Sequence, residues 1–126
     1  MRTTLTSLVP VFLAVLLAAG MAGPQGARVT QGVQIIEISA ERFSFNPSQI
    51  RVTAGTPLEL RLVSEDTAHG FKILGTDIDI VIPKRARGVT SVRFTPAAGE
   101  YTFECSQLCG AGHAFMRGVI IATDDN

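Results

Sequence analysis

The chain has 126 residues, of which 46% are hydrophobic, and its 11 basic and 11 acidic residues give a formal net charge of zero. This length suits one domain. The apolar content excludes an intrinsically disordered chain, and without a basic excess the composition predicts no nucleic-acid partner.

An apolar segment opens the chain. Arg2 is followed by residues 8–22, which are apolar or small, and small residues dominate the end of this run. The run has the length of a signal-peptide core and is shorter than the about 20 residues of a membrane-spanning helix. A cleaved signal peptide and a short retained membrane anchor both remain possible, and both export the domain. We assign residues 1–22 to this leader, 23–32 to a linker and 33–126 to the domain.

Short segments that alternate between apolar and polar residues fill the rest of the chain. In residues 57–63, for example, three leucines at alternate positions share one face, which is the period-2 signature of a half-buried strand. Turn residues separate the segments, and no helical pattern follows the leader. The sequence therefore predicts an all-β fold, an antiparallel β-sandwich or barrel. The predicted strands are residues 34–39, 42–46, 50–52, 57–63, 69–74, 77–82, 89–95, 100–105 and 117–123.

Two groups of charge stand out from this neutral background. One is basic and the other acidic, and we interpret each as a solvated loop rather than a docking patch. The basic residues are Lys84, Arg85 and Arg87, and the acidic residues are Glu65, Asp66, Asp77 and Asp79.

Residues 105–116 concentrate the side chains that bind metals. Cys105, Cys109, His113 and Met116 lie within these twelve residues, and outside the leader the only other cysteine, histidine or methionine is His69. Thiolate, thioether and imidazole are soft or borderline ligands that suit copper. We therefore predict a metal site at this loop.

Several kinds of site can be built from these residues. A disulfide between the two cysteines is the ordinary expectation in an exported protein, but it leaves the other ligands without a role. Zinc accepts two cysteines and two histidines and has no use for the methionine. A mononuclear blue-copper site needs only one of the two thiolates. A redox dithiol of the thioredoxin type requires helices. Only a dinuclear copper centre uses every ligand.

The motif Cys105-Ser-Gln-Leu-Cys109-Gly-Ala-Gly-His113-Ala-Phe-Met116 resembles the CuA motif of cytochrome c oxidase subunit II, which is also found in nitrous oxide reductase. Flanking segments resemble those of the family over residues 42–123. This resemblance implies a cupredoxin-like Greek-key β-sandwich or barrel. The flanking segments are His69-Gly-Phe71, Gly75-Thr76 and Gly99-Glu-Tyr101.

The resemblance also implies a ligand set shared between two copper ions. Two cysteine thiolates bridge both ions, one histidine binds each ion, and a thioether and a backbone carbonyl are weak axial ligands. These residues are Cys105, Cys109, His69, His113, Met116 and, through its carbonyl, Gln107.

By resemblance, the chain receives electrons from cytochrome c or a small copper protein and passes them to haem in subunit I of a haem–copper oxidase. It would do so at the outer face of the membrane, with no bond-making chemistry of its own. The resemblance is incomplete, because the chain has no tryptophan and has Gln107 where many subunits carry a magnesium-binding glutamate. A free periplasmic copper protein, either a carrier or a mononuclear electron carrier, is the alternative.

Overall fold

The computed structural model describes residues 32–124. The predicted leader, at residues 1–22, and most of the linker lie outside this range. Within it, no helix has both the length and the apolar character needed to cross a membrane.

Nine strands and one short 3-10 helix make up the described part of the chain, so the prediction of an all-β fold is confirmed. Two predicted strands are two residues too long at their starts. Arg42 and Phe43 lie in the turn between the first two strands, and Asp77 and Ile78 precede the strand that begins at Asp79. The strands are β1 Gln34–Glu41, β2 Ser44–Asn46, β3 Gln49–Thr53, β4 Leu58–Ser64, β5 His69–Ile73, β6 Asp79–Ile82, β7 Thr90–Phe94, β8 Gly99–Glu104 and β9 Arg117–Thr123, and the 3-10 helix is His113–Phe115.

The strands form two sheets, with the orders β2-β1-β4-β7 and β3-β9-β8-β5-β6. The expectation of purely antiparallel sheets is wrong, because β1 pairs with β4 and β3 pairs with β9 in parallel. Alternation along a strand determines which side chains face the core. It does not determine which strand becomes the neighbour or in which direction that neighbour runs.

The core lies between the sheets and is built from the alternate residues that the pattern placed inside. The three leucines of β4 are all at most 1% exposed. Three phenylalanine rings, Phe45, Phe71 and Phe103, pack together with centroids 5.1 to 5.7 Å apart. Burying each of these rings contributes about 1.5–3 kcal/mol. The cluster therefore forms a rigid apolar block.

One end of the sandwich collects four connecting loops, and we call it the upper end. β1 and β4 run in parallel and both finish there, while β7 begins there. In the other sheet, β6 and β8 finish at this end and β5 and β9 begin there. The loops of the upper end are residues 42–43, 65–68, 83–89 and 105–116.

Candidate metal centre

The two cysteines lie next to each other at the upper end. Cys105 follows β8 on the inward-facing side, after Phe103, and Cys109 lies four residues along the loop. Each residue is 4% exposed, and their Sγ atoms are 3.7 Å apart. A disulfide bond is about 2.05 Å long, so the structure contains two free thiols and not the disulfide that the export of the domain suggested.

His69 brings its ring to the thiol of Cys105 from the neighbouring strand. It is the first residue of β5 and is fully buried. Its Nδ1 atom lies 4.0 Å from Cys105 Sγ, and its Nε2 atom lies 2.7 Å from Asp66 Oδ1. A carboxylate that accepts the proton of one ring nitrogen leaves the other nitrogen free to bind a metal. Asp66 therefore directs the lone pair of Nδ1 towards the thiols.

His113 and Met116 both lie beside the other thiol, that of Cys109. His113 Nδ1 lies 3.9 Å from Cys109 Sγ, and Met116 Sδ lies 3.8 Å from the same sulfur. The 3-10 turn places them together, since the Met116 amide donates to the His113 carbonyl at 3.2 Å. The Met116 carbonyl in turn accepts from the Cys105 amide at 3.0 Å, which closes the loop on itself.

The backbone of Gln107 completes the group. Its carbonyl oxygen lies 3.1 Å from Cys105 Sγ and accepts a hydrogen bond from that thiol, while its side chain is exposed. This approach depends on Gly70, because a Cβ atom there would lie 2.6 Å from the Ser106 amide nitrogen and 2.7 Å from that of Gln107. All six predicted site residues are thus brought together.

Two further residues support the loop, and the sequence analysis did not identify their roles. Arg42 Nε donates to the Cys109 carbonyl at 2.8 Å, and the Arg42 amide donates to Asp66 Oδ2 at 3.0 Å. The Phe43 ring lies under Gly110, where a Cβ atom would come within 2.8 Å of Phe43 Cε1. No local pattern in the sequence signals these contacts, since 67 positions separate Arg42 from Cys109.

The electrostatics of the site favour a protonated Cys109 thiol and an ionised Asp66 carboxylate. Burial raises the pKa of the Cys109 thiol to about 11, and the neighbouring Cys105 thiol adds to the rise. Burial also acts to raise the pKa of Asp66, but hydrogen bonds from His69 and from the Thr67 and Arg42 amides hold it below its ordinary value. A metal that binds here must displace the thiol protons.

The donor set fits copper. The ligand atoms of His69, Cys105 and Cys109 all lie within 4.8 Å of one another, and a thioether and a carbonyl oxygen border the same thiols. Thiolate, imidazole and thioether together favour copper, whereas structural zinc sites use only cysteine, histidine and carboxylate ligands.

Comparison with known proteins supports the family resemblance that the loop motif indicated. The cupredoxin-like domain family matches residues 10–122. Cytochrome c oxidase subunit 2 of Thermus thermophilus is 35% identical over 91 residues, which cover 71% of this chain and 65% of the relative. A second cytochrome c oxidase subunit 2 from Thermus thermophilus is also 35% identical over 91 residues, which cover 52% of that relative. The chain thus spans between about half and about two thirds of these curated relatives.

Solved structures share the fold. A haem–copper terminal oxidase dimer is similar with a TM-score of 0.65 and 25% identity, over 75% of this chain and 68% of that one. The periplasmic domain of subunit II of cytochrome oxidase from Bradyrhizobium japonicum has the same TM-score at 17% identity, over 73% of this chain and 85% of that one. The resemblance to subunit II that the loop motif indicated is confirmed by these matches.

Proposed function

Because the chain belongs to the cupredoxin-like domain family, we propose that it is an electron-transfer copper protein whose upper end holds two copper ions. One observation carries the proposal. The two thiols lie side by side at 3.7 Å, with one histidine Nδ1 facing each of them. A mononuclear site would need only one of these thiols, whereas two ions bridged by both thiolates use every donor that the loop presents.

We assign the ligand roles in accordance with this arrangement. The two cysteines would hold both ions, each histidine would hold one ion, and the thioether and the backbone carbonyl would add weaker contacts. The carbonyl ligand makes no demand on its own side chain, which agrees with the exposure of that side chain. The residues are Cys105, Cys109, His69, His113, Met116 and Gln107.

The surroundings of the site suit electron transfer better than catalysis. When bound, copper supplies one-electron redox chemistry. The protein's part is to hold the ligands still. Hydrogen bonds within the loop, from His69 to Asp66 and from Arg42 to the Cys109 carbonyl do so. Cys105, Cys109 and Met116 are each at most 4% exposed, so water is largely kept from the sulfur ligands. A buried, preorganised set of ligands changes little in geometry when the charge of the ions changes.

The similarity to subunit II also supports the partners and the location that we propose. The chain would receive electrons from cytochrome c or a small copper protein and pass them to haem in subunit I of a haem–copper oxidase. Its place would be the outer, periplasmic face of the membrane, as for the periplasmic domain from Bradyrhizobium japonicum. The apolar segment at residues 8–22 is consistent with export in either of its two interpretations.

Copper analysis tests the proposal. We expect the purified protein, loaded with copper, to hold two ions per chain and to show the spectrum of one unpaired electron shared between both. Cys109→Ser should abolish that shared spectrum, because only one bridging thiolate remains. Met116→Leu is the matched control and should retain two ions with a shifted reduction potential, since a thioether is a weak axial ligand. One copper per chain, or a shared spectrum that survives Cys109→Ser, contradicts the dinuclear site.

A further inference from the structure

The basic loop at residues 83–89 lies beside the candidate metal centre. In the β5–β6 pair, Ile82 is the register partner of His69, so the loop leaves the sheet directly next to that ligand. The Arg85 amide then donates to the Asp66 carbonyl at 3.1 Å, and Asp66 is the residue that holds the His69 ring. The loop is solvated, as the sequence indicated, but it also borders the site.

The side chains of this loop are free to meet a partner. Lys84, Arg85 and Arg87 are all exposed, and none of them forms an ion pair with another residue in the described range 32–124. Other cations of the fold are engaged, such as Arg93, which pairs with Glu59. The upper end therefore presents three uncompensated positive charges within four consecutive positions.

The rim of the upper end is positive as a whole. Its four loops contain four basic residues, Arg42 and the three of the basic loop, against two acidic residues, Glu65 and Asp66. The Asp66 carboxylate points inward to His69 and to two backbone amides. At the strand ends, Glu104 and Arg117 are register partners and offset each other. Asp79, which accepts a hydrogen bond from Ser106 of the ligand loop, forms an ion pair with Lys72. Adding the exposed Glu41 leaves the rim with a small net positive charge. The whole chain is neutral, so this charge is a local concentration.

Apolar side chains occupy the ligand loop that this rim surrounds. Leu108 is 90% exposed and Phe115 is 82% exposed, and each is next to a candidate ligand in the sequence. An exposed apolar centre with a charged rim is the usual form of a protein-binding surface. The charge of the rim determines which partners are steered to it and raises their association rate.

We propose that the protein that donates electrons to this site docks on the upper end through an acidic surface around its own redox group. This inference rests on the proposed function, because it presumes that electrons pass through the site. Steering by charge matters most for a partner that binds briefly and repeatedly, as a diffusing donor does, since it acts mainly on the association rate. Basic side chains beside a ligand favour a donor of opposite sign.

Electron transfer from two forms of one donor, which differ in charge, tests whether this positive surface favours an acidic donor. The donors are reduced cytochrome c, which is basic, and the same cytochrome after succinylation, which replaces lysine ammonium groups with carboxylates. In stopped-flow experiments with the copper-loaded protein, we expect the rate constant for the succinylated donor to fall several-fold between about 10 and about 200 mM salt, because salt screens the attraction.

Charge reversal identifies the residues responsible. The combined variant Lys84→Glu, Arg85→Glu and Arg87→Glu should slow reduction by the succinylated cytochrome about tenfold at low salt. It should leave the rate with unmodified cytochrome c unchanged or raise it. The control is Arg51→Glu, which changes an exposed charge on β3 and should have little effect. Comparing variants with one donor at a time removes any difference in potential between the two donors.

A measurement without copper separates this inference from the proposed function. The anion hexacyanochromate(III) broadens NMR signals of nearby amides, and in the copper-free protein we expect broadening at residues 83–88 and 108–115. The triple variant should lose it, and the cation hexaamminechromium(III) should not produce it. Two results would overturn the proposal of an acidic donor. One is broadening at amides outside these two segments. The other is that unmodified cytochrome c reduces the protein faster than the succinylated form does and that the triple variant slows this reduction. If the protein fails to bind two copper ions but the anion still broadens these amides, the result counts against the proposed function alone.

Discussion

Arg42 links the two halves of the candidate metal centre. Its backbone amide holds Asp66, which orients His69, and its guanidinium holds the carbonyl of Cys109. One residue in the β1–β2 turn thus restrains a candidate histidine ligand from the second sheet and a candidate thiol ligand from the long loop. A ligand set that must not move when its charge changes depends on such restraints.

Replacing Arg42 tests this restraint. Arg42→Met keeps the aliphatic stem and the backbone amide but removes the donor to Cys109. We expect a loss of about 1–2 kcal/mol in the free energy of unfolding of the copper-free protein, because a charge-assisted hydrogen bond is lost. We also expect copper to be released several-fold faster to a chelator, since the loop is less firmly held.

The control for this change is Arg51→Met, which removes an exposed arginine from β3. Urea denaturation gives the stability and chelator competition gives the release rate. If both arginine variants behave alike in the two measurements, Arg42 does not position the ligand loop.

At the scale of the strands, β4 carries an ion-pair group on its outer face. Glu59 is 5% exposed although it points away from the core, because two arginines cover it. Arg61 Nε lies 2.9 Å from Glu59 Oε1, and Arg93 from the neighbouring strand β7 donates its Nε to Oε2 at 2.6 Å. Glu59 and Arg93 are register partners, so this group joins β7 to the centre of its sheet.

This group makes stability depend on pH. Hydrogen bonds from Arg61 and then Arg93 hold the pKa of Glu59 below its ordinary value of 4.5. A carboxyl whose pKa is lower in the folded protein contributes stability above its unfolded pKa and loses that contribution as the pH falls through the folded value. We therefore expect Glu59→Gln to destabilise the protein at neutral pH and the difference from wild type to shrink below pH 4.5.

Urea denaturation over a series of pH values measures this effect. Glu100→Gln is the matched control, since Glu100 is exposed and forms no ion pair with a described residue. A difference between Glu59→Gln and wild type that stays constant down to the lowest pH would mean that the charge of Glu59 does not matter.

For the whole molecule, the core extends well beyond the candidate metal centre, although Cys105, Cys109 and Met116 belong to the same cluster of buried residues. Phe45, Phe71 and Phe103 pack against one another, and the leucines of β4 are buried in the same core. A described region of this size buries enough apolar surface to fold on its own. We therefore expect the sandwich to fold without metal, unlike a zinc finger.

Removing the metal tests this independence. We expect the copper-free protein to keep its β-sheet circular dichroism and to unfold in one cooperative transition. Copper should raise the melting temperature, because a ligand that binds only the folded state stabilises it by mass action. Calorimetry with and without a chelator measures both effects. A copper-free protein that shows no unfolding transition would mean that the metal is required for folding.

The strands could be predicted from the sequence, and so could the candidate ligands, because both predictions depend on residues that are close together in the chain. Alternation over a few residues located the nine strands. Twelve consecutive residues, 105–116, contain five of the six candidate site residues, and only His69 lies elsewhere. A side chain's preference for the core and a ligand's chemical type are properties of single positions and their near neighbours. The exposure of Phe115, between two candidate ligands, was left open by this local information.

Pairing across long separations was decided only by the tertiary structure. The parallel neighbours β1 and β4, the hold of Arg42 on Cys109, and the position of the basic loop beside His69 all join residues far apart in the chain. Such contacts depend on which strands become neighbours when the two sheets close over a common core, and alternation is the same for every choice of neighbour. The sequence therefore predicted which residues form the candidate site, and the packing of the sheets decided what surrounds them.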